Sequence, residues 1–334
     1  MTTSVLVVGA GAIGAFYASR LDAKHAKVAV VCRSNYDMVH RDGFQIESRT
    51  FGNYEFRPWK VYSSVEQASE THWDFVIVAT KAFNFDKESA QFIADVVSSE
   101  TSIVLIQNGI DVEVPYRAMF PSNAIISAVS VCSSELQSGR VLKHYRWTRI
   151  SLGPYSDRYG RSNTDRERSL IERGERASHQ LEQLWKDGGI SDAETYDALD
   201  LQLVRWHKLS INAAMNVSGV LSGCLGNDRM CKDPLLRSHL KACMKEVLDA
   251  MPEIYGVPIP EKFASIDAII ASNEKNTNSR SSMVQDWLAH RPIELQAILG
   301  NALNITREHN ITMPRLESMY ALLQSAAKIH MDSN

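Results

Sequence analysis

VLVVGAGAIGAFYASRL, residues 5–21, decides the fold. Four apolar residues run into Gly9-x-Gly11-x-x-Gly14, and helical spacing follows. A glycine fingerprint between a strand and a helix is the phosphate cradle of a dinucleotide-binding fold. Gly9 permits the tight turn, Gly11 lets the backbone approach a pyrophosphate, and Gly14 lets helix and strand pack closely. The helix N-terminus, at Ala12 and Ile13, offers amides with no acceptor inside the helix.

Similar short runs recur outward from this stretch. SVLVVGA (4–10), KVAVVC (27–32), DFVIVAT (74–80) and SIVLIQ (102–107) are rich in Val and Ile and end in Gly or polar residues. They read as buried parallel strands with helices between them. AIISAVSVCSSEL (124–136) reads as a fifth, and GRVLKHYRWTRISLGPY (139–155) alternates, as antiparallel strands closing the sheet would. In the charged segment 157–180, the first part reads as a solvated loop and the second as an exposed helix. From about residue 197 helix follows helix, punctuated by Gly256, Pro258, Asn310 and Pro314. The expected class is α/β: a Rossmann-type dinucleotide-binding domain over 1–196, an all-helical domain over 197–334, and a cleft between them.

Length and composition agree with two domains. The chain has 334 residues, 44% hydrophobic and 22% charged, as an ordinary globular protein does. A net charge of -3 gives no electrostatic reason to expect nucleic acid or an anionic membrane as a partner. No apolar run approaches the length of about 18 residues that a membrane-spanning helix needs. The opening MTTSVLVVGAG enters a strand at once and leaves no room for a signal peptide. Cys32, Cys132, Cys224, Cys231 and Cys243 form no C-x-x-C pair and read as free thiols of a reducing compartment, which points to the cytoplasm. The ten histidines show neither H-x-x-x-H nor H-E-x-x-H, so no metal is expected. A homodimer is compatible with the sequence, which does not set the oligomeric state.

Polar residues collect at the carboxyl ends of the strands, where open α/β sheets hold ligands. Arg33 lies nineteen residues past Gly14, where an acid would take the ribose hydroxyls of NAD. A guanidinium there suits the 2′-phosphate of NADP through two hydrogen bonds. Lys81 can neutralise a cofactor phosphate or a substrate carboxylate. Asn108, before Gly109, can serve the nicotinamide side or the substrate. In the helical half, Lys208, Asn212 and Asn216 recur every four residues and share one face, among Leu209, Ile211, Ala213, Ala214, Met215, Val217 and Val220. Amides in apolar surroundings need partners, and a polar ligand in a cleft supplies them. Ser282-x-x-Gln285 fits a capping box, and Glu294, behind Pro292, fits a first-turn acid. Both also fit a binding role.

With these residues in view, the chain resembles the ketopantoate reductases (2-dehydropantoate 2-reductases) over nearly its whole length. The matching segments are GAGAIG, the Arg33 position, VATKAFN, LIQNGI, WHKLSINAAMN and SSMVQDWLAHRPIE. The resemblance implies NADPH bound on the N-terminal domain and reduction of ketopantoate to pantoate, a step towards pantothenate and coenzyme A. It implies Lys208 as the general acid and Glu294 as an acid that helps hold the active site. By the same resemblance, Asn212, Asn216 and Ser282 are substrate-binding, Asn108 lies between substrate and nicotinamide, and Arg33 and Lys81 recognise the adenosine phosphate. The sequence departs from the family pattern at Asn84, where many members have Gln, and at Ser279, where an Asn is common. Its loop over 155–177 is longer and more charged than in compact members. The departures bear on the substrate and leave two other readings open. One is a relative that reduces another 2-oxo acid or a ketone. The other is an NADP(H)-binding sensor that has lost catalysis.

Overall fold

The computed structural model describes residues 2–157, 164–277 and 279–332. It divides into two compact units, one of residues 1–107 and 112–201, the other of 108–111 and 202–334.

In chain order the first unit holds β1 (Thr3–Val8), α1 (Ala12–Ser19), β2 (Ala26–Val31), α2 (Tyr36–Asp42), β3 (Phe44–Ser48), β4 (Gly52–Phe56), β5 (Lys60–Tyr62) and β6 (Phe75–Val78). A 3-10 segment (Lys87–Val96), β7 (Ser102–Leu105), α3 (Val114–Met119), β8 (Ile125–Gln137), β9 (Val141–Pro154), α4 (Asp165–Asp187) and β10 (Ala193–Thr195) follow. Six strands pair in parallel in the order β5-β2-β1-β6-β7-β8. Chain order therefore reverses at β1/β6, the point where such sheets hold their ligands. β9 returns antiparallel to β8, as the alternation of 139–155 predicts, but as one strand. Its register slips at Cys132/Ser133 and Ser133/Ser134, and Trp147 takes a φ of 60° there. Such bulges bend and twist a strand.

Burial explains why these segments are strands. Leu6, Val8, Val76 and Val78 join one core, under the 3-10 segment and α3. Val5, Val7, Phe75 and Ile77 join the other, under α1 and α4. Successive residues enter opposite layers, so both faces of the central strands are dry and the sequence reads as continuous apolar runs.

Some expectations need correction. The hairpin β3–β4 pairs beside β9, and β5 and β10 extend the sheet; none was expected as a strand. These elements are short and half-polar, so periodicity does not single them out. The loop part of 157–180 falls largely on 158–163, outside the described residues. The helical part is not simply exposed. Thr164 caps α4, and Leu170, Ala177, Leu181, Leu184 and Trp185 are buried, while Arg166, Arg168 and Arg176 face water. Its charge density hid an amphipathic core helix.

The second unit is helical: α5 (Ala198–Leu221, whose first turn belongs to the first unit), α6 (Asn227–Lys232), α7 (Pro234–Tyr255), α8 (Ile266–Glu274), α9 (Ser282–Leu288), α10 (Asn301–Glu308) and α11 (Pro314–Asp332). A π turn, Gln296–Gly300, leads into α10. Gly256 ends α7 in the left-handed conformation, and the Glu246 carboxylate accepts the amides of Arg315 and Leu316, capping α11. Among the described residues no helix is long and apolar enough to cross a membrane.

All five cysteines are free. Burial pushes the thiols of Cys32 and Cys243 up to about 12 and that of Cys231 up to about 11. A thiol-reactive chromophore is therefore expected to label the half-buried Cys132 and Cys224 first, and the other three only on unfolding. Uniform labelling of all five in native buffer contradicts this packing.

Candidate active site

The glycine cradle forms as its spacing requires. Gly9 has a φ of 98°, and a methyl group there would lie 2.8 Å from the Thr80 nitrogen. At Gly14 a methyl would meet the Gly9 oxygen at 2.2 Å, so only glycine lets α1 start this close to the turn. Gly11 differs: a methyl there meets nothing within 4 Å. It is exposed, so the packing of the protein itself does not require glycine there. Gly11 precedes α1 without a side-chain cap, and no acid stands in the first turn. The amides at Ala12 and Ile13 and the positive helix end therefore fit an anion. These residues fit the pyrophosphate of a dinucleotide.

Arg33 follows β2 and is exposed, its carbonyl accepting the Tyr36 amide at 3.4 Å. Lys81, two residues after Ala79, is exposed beside a cavity of about 170 Å³ lined by Thr80, Phe83, Asn84, Gln107 and Tyr116. Both cations thus stand just beyond strands whose ends flank the cradle.

The second unit carries the other expected residues. Asn108 leaves the end of β7 with the short segment 108–111, which packs in the helical unit. Its side-chain oxygen accepts a hydrogen bond from Lys208 Nζ at 2.9 Å. Lys208 and Asn212 are half-buried, and Asn216, a turn further along α5, is 5% exposed. Leu209, Ala213, Ala214, Met215 and Val217 are buried around this stripe. Glu294 is only 6% exposed; its carbonyl accepts the Ile298 amide at 3.0 Å, at the entrance to the π turn. The capping-box reading of Ser282 does not hold. Ser281 is the cap, accepting the Val284 amide at 3.3 Å, and Ser282 is the exposed first residue of α9. The box pattern was one residue out of phase: the capping hydroxyl is that of Ser281.

Two residues escaped sequence reasoning. Arg205 Nη1 donates to the Gly109 carbonyl at 2.9 Å, and Asn301 Nδ2 donates to the Ile110 carbonyl at 2.8 Å. Arg205 had a signal: it stands three residues before Lys208, on the same helix face. Asn301 had none, because its partner is a distant backbone carbonyl.

An ammonium held by an amide oxygen is a fixed donor. It can stabilise charge developing on a carbonyl oxygen and then release a proton to it.

Comparisons with known proteins identify the family. The model described as "Ketopantoate reductase PanE/ApbA" matches residues 5–157, and "Ketopantoate reductase PanE/ApbA C terminal" matches 200–327. The chain is 28% identical over 319 residues to the 2-dehydropantoate 2-reductase of Nostoc sp., covering 95% of this chain and 93% of that protein. Among solved structures it is similar to 2-dehydropantoate 2-reductase from Methylococcus capsulatus, with a TM-score of 0.81, 31% identity, and 98% and 97% of the two chains covered. A D-mandelate dehydrogenase solved with NADH and anilino(oxo)acetate shares the fold at a TM-score of 0.75 and 18% identity, over 98% of this chain and 99% of that one. Matched along both units, with the glycine cradle and the Asn108–Lys208 pair in place, the chain belongs to the ketopantoate reductase PanE/ApbA family, oxidoreductases that act on C=O/CH–OH groups with a pyridine nucleotide.

Proposed function

We propose that this protein reduces ketopantoate to pantoate in the cytoplasm with NADPH, and that Lys208 delivers the proton. The observation that carries the reading is the 2.9 Å hydrogen bond from Lys208 Nζ to Asn108 Oδ1, on a polar helix face bordered by buried apolar residues. The nucleotide, when bound, supplies a hydride to the carbonyl carbon. Gly9, Gly11, Ala12, Ile13 and Gly14 hold its pyrophosphate, and Arg33 and Lys81 its adenosine phosphate. Lys208 stabilises the developing alkoxide and gives it a proton, then regains one from solvent. Asn212, Asn216 and Ser282 bind substrate hydroxyls and carboxylate without adding charge. Glu294, a buried acid on the same unit, helps hold the site. The test is steady-state oxidation of NADPH with ketopantoate, beside a panel of 2-oxo acids.

Arg33 gives a second test. Charge-assisted pairs with a phosphate contribute about 1.5–3 kcal/mol. Arg33→Ala is expected to weaken NADPH binding by about 10- to 100-fold and leave NADH binding nearly unchanged. Fluorescence titration with both nucleotides reads this, and an unaltered preference removes Arg33 from the site.

A second reading, a relative that prefers another 2-oxo acid, is favoured by Ser279 and Asn84, which depart from the family pattern. Ser279 is half-buried and its carbonyl accepts the Asn227 amide at 2.8 Å, just ahead of α9 and Ser282. The oxo-acid panel separates the two readings.

A further inference from the structure

We propose that Arg205 and Asn301 are positioning residues: they clamp the backbone of Gly109 and Ile110 so that Asn108 meets Lys208, with Gln296 and Tyr320 fixing Asn301. The inference rests on the reading of Asn108 and Lys208 as the reactive end of the site.

Asn108 stands three residues past the end of β7, on a segment of only four residues in the helical unit. A segment this short has no periodic structure of its own, so its geometry must come from what grips it. Arg205 is 3% exposed and its guanidinium donates to the Gly109 carbonyl at 2.9 Å. It lies one turn before Lys208 on α5. One helix face therefore grips two adjacent residues: Arg205 takes the backbone of Gly109, and Lys208 takes the side chain of Asn108.

The opposite side of the segment is held by the π turn and α10. The Ile110 amide donates to the Ala297 carbonyl at 3.0 Å, and the Ile110 carbonyl accepts from Asn301 Nδ2 at 2.8 Å. Gly109 makes this approach possible. Its φ is 96°, and a methyl there would lie 2.3 Å from the Ala297 oxygen. The orientation of the Asn301 amide is set in turn. Gln296 Nε2 donates to Asn301 Oδ1 at 2.8 Å, and the Tyr320 hydroxyl donates to Gln296 Oε1 at 2.7 Å. From α11 to Ile110 every donor points the same way, so each bond polarises the next. Gln296 and Ala297 are the first two residues of the π turn, and such turns recur at functional sites.

A displacement of about 1 Å at a reacting group can cost about 100-fold in rate. Asn301→Asp keeps the size of the side chain and the acceptor for Gln296 but removes the donor to Ile110. Arg205→Met keeps length and removes the donor to Gly109. In each variant, amide exchange across peptide 106–112, followed by mass spectrometry, is expected to quicken by at least about tenfold. Turnover is expected to fall by about 10- to 100-fold, with KM for NADPH within about twofold. Because both residues act through Asn108, each substitution placed in an Asn108→Ala background is expected to cost less than about twofold more. Unchanged exchange in both variants, or full additivity with Asn108→Ala, overturns the proposal. If the unmodified protein turns over no 2-oxo acid, the functional reading fails instead, and exchange at 106–112 alone decides the clamp.

Discussion

Replacing Lys208 with alanine is expected to lower kcat by about 10³-fold while leaving nucleotide affinity within about twofold. General acid–base groups contribute about 10²- to 10⁴-fold, and this lysine also stabilises charge, so the loss falls inside that range. The split follows from where the residues lie. The glycine cradle, Arg33 and Lys81 belong to the first unit, whereas Lys208 lies on α5 in the second. Lys208→Arg discriminates the two roles. A guanidinium keeps the charge but does not release its proton near neutral pH. Its kcat is therefore expected to stay within about tenfold of the alanine variant if proton transfer dominates. Recovery close to the unmodified protein would mean that Lys208 acts by charge alone. Stopped-flow single turnovers separate the chemical step from release.

Gly14→Ala is the second large effect. The new methyl would sit 2.2 Å from the Gly9 oxygen and 3.1 Å from Ala79 Cβ. The nearer atom is backbone, so no side chain can swing aside, and the start of α1 must retreat from the turn. Overpacking of this kind costs about 1–3 kcal/mol in stability. The retreat also moves the helix amides away from the pyrophosphate, so nucleotide affinity is expected to fall by at least about 100-fold. Gly11→Ala is the control. Its methyl meets no protein atom within 4 Å, so the melting temperature should hold while binding is lost. Thermal melts and fluorescence titrations of the two variants measure this contrast. A Gly14→Ala protein that melts normally and binds normally would contradict the cradle.

Much of the fold was legible because its signals are local. Residues 5–21 declare strand, turn and helix, and the central strands declare themselves by dry faces on both sides. Lys208, Asn212 and Asn216 were legible because helical spacing puts them on one face. Other features lacked a local signal. β5 is a three-residue strand that pairs along Ala29–Val31, and α4 hid its buried face behind arginines. The cap at Ser281 rather than Ser282 turns on one residue of phase, which a repeated serine cannot encode. The hold on Asn108 joins residues 205, 297 and 301 to 109 and 110, and pairings that distant leave no periodicity to read.

The most direct measurement is steady-state NADPH oxidation with ketopantoate and a panel of 2-oxo acids, run on the unmodified protein and on Lys208→Ala. Turnover of ketopantoate is expected for the unmodified protein, with a loss of about 10³-fold in the variant. Tight NADPH binding with no oxidation by any 2-oxo acid, or near-normal turnover by Lys208→Ala, would contradict the proposed function.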